Sequence, residues 1–172
     1  MFQYIQNEAH YKDVLMRCTQ VRKELWIGTA DIKDVYISRN QSEPFLKLIS
    51  ELLSKRISVR LLHAKEPGIN FQKDFDKFPL LQRDLERAMC PRVHFKLFIF
   101  DLETVYIGSA NLTGAGIGMR SKNKRNFEAG ILTNLPNIVK SAIDQFDTVW
   151  NGSFCHSCLM KQYCPDPIYK VQ

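Results

Sequence analysis

Apolar positions along this chain alternate between two rhythms, and the switches between them mark out the elements. From Glu8 to Arg22 the residues Tyr11, Val14, Leu15, Cys18 and Val21 fall on one side of a helix. Glu24–Ala30, Glu-Leu-Trp-Ile-Gly-Thr-Ala, is a short apolar run that predicts a buried strand. Ser42–Lys55 returns to helical spacing, with Ser42 a candidate N-cap and Phe45, Leu46, Leu48, Ile49, Leu52 and Leu53 facing inward. Ile57–His63 predicts a second strand, closed by Pro67-Gly68. Phe71–Met89 reads as helical, with Pro79 a point of interruption.

The pattern then changes. Val93–Phe100 predicts an apolar strand, Asp101-Leu102-Glu103 a tight connection and Thr104–Ile107 an antiparallel return. Gly108–Asn126 is rich in Gly, Ser, Asn and cations, which predicts a loop with at most a turn of helix. Phe127–Thr133 predicts another strand, and Pro136–Trp150 a closing helix with Pro at its start. This order implies an α/β fold of the α+β kind, a central mixed sheet flanked by helices over residues 1–150, with a separate tail at 151–172.

Composition narrows the classes. At 172 residues, 45% hydrophobic and 24% charged, the chain suits one globular domain rather than a disordered tract. No apolar run approaches the length that spans a bilayer, and the N-terminus lacks the basic start and apolar stretch of a secretory signal. The expectation is a cytoplasmic protein without membrane insertion. A net charge of +6 favours a polyanionic partner, nucleic acid or an anionic membrane, although a solvated basic surface gives the same charge.

The chemistry concentrates in His94-x-Lys96-x4-Asp101-x6-Gly108-Ser109-x-Asn111. Residues two apart on a strand share a face, so His94 and Lys96 point the same way, and Ser109 and Asn111 follow on the return strand. An imidazole, an ammonium, a hydroxyl and a carboxamide at one strand end suit a phosphate: charge, neutral donors and a nucleophile or proton carrier. Asp101 is an odd number of residues from His94, which assigns it to fixing the turn or supporting the site from behind. Gly108 is expected to let backbone approach the ligand. A His-x-Lys pair alone is ordinary surface decoration. The chain holds such a control, His63-Ala64-Lys65, which has Asn70 where the fuller pattern has Asp101 and no Gly-Ser-x-Asn after it.

The complete pattern resembles the signature of the phospholipase D superfamily, and the predicted order of elements over residues 1–150 fits that fold. The resemblance implies that His94 attacks phosphorus to form a phosphohistidine, and that Lys96 and Asn111 hold the non-bridging oxygens with Ser109 nearby. It implies also that Glu128, in Asn126-Phe127-Glu128-Ala129-Gly130, orients the nucleophilic His. Members include phospholipases, cardiolipin hydrolases, bacterial endonucleases, the Zucchini-type nuclease and some restriction enzymes, so the motif specifies a chemistry and not a substrate. One His cannot be nucleophile and general acid in the same step. Full-length members carry two motifs and this chain carries one, so a homodimer joined through the active-site face is expected to supply the second His94. No catalytic metal is implied: there is neither a His-Glu-x-x-His helix nor a carboxylate cluster suited to two-metal hydrolysis.

Two further segments bear on substrate and cofactor. Arg120, Lys122, Lys124 and Arg125 place four cations within six residues between Asn111 and Glu128. They suit the flanking phosphates of DNA or RNA, or form a solvated loop; a membrane would attract them too, but no apolar helix or lipidation signal accompanies them. A nuclease is favoured. A phospholipase or cardiolipin hydrolase and a nucleic-acid-binding subunit of a defence or repair complex stay open. In the tail, Cys155-x2-Cys158-x5-Cys164-Pro165 has the spacing of a metal bite, suited to structural Zn or an iron–sulfur cluster and similar to the cluster segment of some DNA-processing nucleases. The fourth ligand is open: His156 is adjacent, and Cys90 and Cys18 are distant in sequence. Free thiols capping the closing helix are the alternative.

Overall fold

The structure, a computed structural model, describes residues 1–167; the last part of the expected tail, residues 168–172, lies outside the described residues. Its centre is β2 (Glu24–Thr29), buried on both faces as its unbroken apolar run predicts. Parallel to β2 runs β5 (Ser58–His63), and beyond it β6 (Glu86–Met89). On the other side the sheet is antiparallel: β7 (Lys96–Phe100), β8 (Thr104–Gly108), β9 (Ala129–Thr133) and the edge strand β1 (Phe2–Gln6). The seven strands stand in the order β1-β9-β8-β7-β2-β5-β6, a mixed sheet as the pattern implied.

Helices cover both faces. Leu25, Ile27, Val59, Leu61, Phe98 and Phe100 pack against α1 (Phe45–Ser54) and the helical turns at His10–Gln20. Trp26, Leu62, Leu97, Ile99 and Val105 pack on the other side against Val139, Ala142 and Phe146 of α4 (Pro136–Trp150). Arg60 lies over the rings of both Trp26 and Trp150, so the cation closes the edge of this second core.

Several expectations are corrected. Ser42 does not cap α1: Tyr36–Ser38 (β3) and Ser42–Pro44 (β4) form a small hairpin, and Pro44 occupies the position before the helix. The span Phe71–Met89 is two short helices, α2 (Ile69–Phe75) and α3 (Pro79–Asp84), broken where Pro79 suggested, and then β6. Glu86–Met89 is extended because β5 offers it an open edge to pair with. The Glu8–Arg22 helix is a π-helical turn, His10–Leu15, followed by 3-10 turns, Met16–Gln20. β1 lacked an apolar signal because only Ile5 of its five residues is buried.

The β7–β8 connection needs positive φ at two residues, Asp101 at 54° and Leu102 at 58°. Asp101 is held there by its own carboxylate, which accepts hydrogen bonds from the backbone N–H groups of Arg22, Lys23 and Glu24 at 2.7–3.2 Å. That ties the turn to the start of β2. No helix among the described residues is long and apolar enough to cross a membrane.

Candidate active site

β7 begins at Lys96, later than the apolar run suggested. His94 therefore precedes the strand, following a turn in which Val93 N–H donates to the Cys90 carbonyl at 3.0 Å, and it is exposed. Lys96 is opposite, with a side chain in a residue only 7% exposed. Its Nζ donates to the His94 carbonyl at 2.7 Å and lies 3.5 Å from His94 Nδ1. Burial lowers the Lys96 ammonium pKa, and the nearby Glu128 carboxylate works against that shift.

The return strand brings the other groups to the same end. Lys96 pairs with Gly108, so Ser109 emerges beside it. The Ser109 hydroxyl donates to Glu128 and accepts from the Ala129 N–H at 3.1 Å. Glu128 also accepts from Asn126 Nδ2 at 3.0 Å. Its carboxylate thus hydrogen-bonds Ser109 and Asn126. Asn111 accepts on Oδ1 from the Asp31 N–H at 3.1 Å, with the Thr29 hydroxyl 3.4 Å away. With the carbonyl oxygen engaged, Nδ2 is the group left to donate to a phosphate oxygen.

Asp101 belongs elsewhere. It stands at the opposite end of β7 from His94, where its carboxylate serves the turn and the start of β2 and does not touch the catalytic groups. Gly108 is closely packed. A Cβ there would meet the Tyr106 hydroxyl and stand 2.7 Å from the Ala129 carbonyl, so its smallness serves sheet packing. The control pair behaves as a core feature: His63 is fully buried, with Nδ1 on the Lys65 carbonyl at 2.8 Å and Nε2 accepting from Arg87 at 2.8 Å.

The basic loop divides. Arg120, Lys122 and Lys124 are exposed, whereas Arg125 is paired with Glu8 at 3.0 Å and half-buried. The tail presents Cys155, Cys158 and Cys164, but among the described residues no three His, Cys, Asp or Glu side chains are arranged to hold a metal ion as they stand. Residues that local spacing did not reveal are Thr29, Asp31 and Asn126. They position Asn111 and Glu128, and the first two do so from about eighty residues away, beyond the reach of any local pattern.

An imidazole, a desolvated ammonium, a hydroxyl–carboxylate pair and an anchored carboxamide thus stand at one end of a mixed sheet. Residues 14–150 match the family described as cardiolipin synthase, PLD-like domain, and the chain belongs to that phospholipase D-like family. No curated protein matches the sequence. Among solved structures, the phospholipase D family member Nuc from Salmonella typhimurium shares the fold with a TM-score of 0.64 at 16% identity, covering 88% of this chain and 94% of that one. NucT from Helicobacter pylori matches with a TM-score of 0.62 at 14% identity, covering 86% and 95%. Phosphatidylserine synthase from Haemophilus influenzae Rd KW20 matches with 0.59 at 14% identity, covering 86% of this chain and 38% of that one.

Proposed function

We propose that this protein is a metal-independent nuclease that cleaves DNA or RNA phosphodiesters through a phosphohistidine, as a homodimer in the cytoplasm. The observation that carries the reading is His94 and Lys96 meeting Ser109, Asn111 and Glu128 at one end of the β7–β8 hairpin. Lys96 and Asn111 neutralise and hold the non-bridging oxygens, with Ser109 beside them. His94 of one subunit attacks phosphorus, forming a P–N bond as the P–O bond to the leaving group breaks. His94 of the second subunit gives that oxygen its proton. The second His then takes a proton from water, whose oxygen displaces the first His, and the P–N bond breaks. Glu128, acting through Ser109, positions the oxygen-binding side of the site.

Two features support the remaining parts. Exposed Arg120, Lys122 and Lys124 supply a charged rim suited to successive phosphates, which a single lipid headgroup does not offer. Five cysteines without a disulfide among them fit a reducing compartment. For the dimer, the sheet face carrying Phe2, Tyr4 and Ile107 is left exposed next to the site, with Tyr4, Ile131 and Ile107 side by side across β1, β9 and β8.

The test is cleavage of labelled single- and double-stranded DNA and RNA in EDTA. Wild type is expected to cut at least one of them, and His94→Ala to lose on the order of 10³-fold or more. Hydrolysis of phospholipid vesicles with no cleavage of nucleic acid would replace this reading with a lipid hydrolase.

A further inference from the structure

After α4 the described tail forms only one short 3-10 turn, Lys161–Tyr163, and leaves Phe154, Leu159 and Tyr163 exposed. Apolar burial does not account for its position, and segments of this kind need a staple. The tail is nevertheless tied to one place, the end of β6. Asp166 accepts from the Met89 N–H at 3.1 Å, Cys164 Sγ lies 3.9 Å from the Met89 carbonyl, and Arg92 lies 3.7 Å from Cys158 Sγ.

Those contacts bring a fourth cysteine to the tail. Cys90, Cys155 and Cys158 line one cavity of about 350 Å³, together with Arg92, Phe95 and Phe154. Cys164 sits against the residue that precedes Cys90. His156, the other candidate, is exposed and does not line the cavity. One zinc ion needs four sulfurs drawn to about 2.3 Å from a single point. Three of these thiols line one open cavity of a size that has room for more than a single ion.

We propose that Cys90, Cys155, Cys158 and Cys164 ligate an iron–sulfur cluster that fastens the tail to the end of β6. Each of the four thiolates holds one iron of a four-iron cluster in this arrangement. Arg92 beside Cys158 offsets the negative charge this gathers. The cluster also braces the Cys90–Val93 turn that leads into His94. The inference is independent of the substrate assigned to His94.

The experiment is anaerobic purification after iron-replete expression, with iron, zinc and acid-labile sulfide measured per chain. Wild type is expected to hold about four irons with matching sulfide and a broad visible absorbance. Cys90→Ser should lose most of the iron, and His156→Ala should keep it. Should Cys90→Ser not fold, thiol alkylation of wild type decides: all four cysteines are expected to be protected until the iron is chelated. Zinc without sulfide overturns the cluster. So does a metal-free wild type, full iron in Cys90→Ser, or Cys90 alkylated while iron remains bound.

Discussion

Lys96 is a cation placed where burial disfavours its charge, and the fold tolerates it because the carbonyl of His94 and the nearby Glu128 partly offset that cost. Replacing it tests whether the site trades stability for chemistry. Lys96→Met should be inactive, with a Tm no lower than wild type; a clear fall in Tm would show that the ammonium stabilises the fold. Asn111→Ala removes the anchored donor and should lower kcat by about 10²–10³-fold in a cleavage assay. His10 and His63 are fully buried, and burial lowers both pKa values. Both rings therefore take up protons less readily in the fold than in the unfolded chain, which does so below about pH 6.5. The unfolded state then binds more protons, so stability falls as pH falls. Tm should drop between about pH 7 and about pH 5, and a flat profile would contradict the lowering of these pKa values by burial. At this scale His94, Lys96, Ser109 and Asn111 were legible because their spacing is local. Glu128 was legible by its place after the loop, but its hydrogen bond with Ser109 was not.

At the scale of elements, the β7–β8 hairpin organises the site. The Asp101 turn fixes its closed end, and the close packing of Gly108 and Gly130 around Tyr106 fixes its open end. Gly108→Ala forces a methyl against Tyr106 and the Ala129 carbonyl, and should cost about 1–3 kcal/mol in denaturant unfolding. Unchanged stability would mean that the strands yield freely there. The central strands and the closing helix α4 were readable, since burial on both faces or along one stripe imprints an apolar pattern. β1 and β6 were not. Each is an edge strand whose extended form comes from pairing with a distant neighbour rather than from its own residues.

At the scale of the molecule, the proposed reaction takes its second His94 from a second subunit, because the chain carries one motif. The row of exposed Tyr4, half-buried Ile131 and exposed Ile107 lies on the face that α4 covers further along the sheet, where Val105 packs in the α4 core. Ile107→Arg should shift sedimentation from dimer to monomer and abolish cleavage together. An active monomer would refute the shared site. The most direct test of the central claim is to capture the covalent intermediate: a labelled phosphodiester substrate, an alkaline quench that preserves phosphohistidine, and mass mapping of the labelled peptide. The account predicts phosphate on His94, at about one per dimer, and none in His94→Ala. Turnover with no protein-bound phosphate, or with the label on another residue, would contradict it.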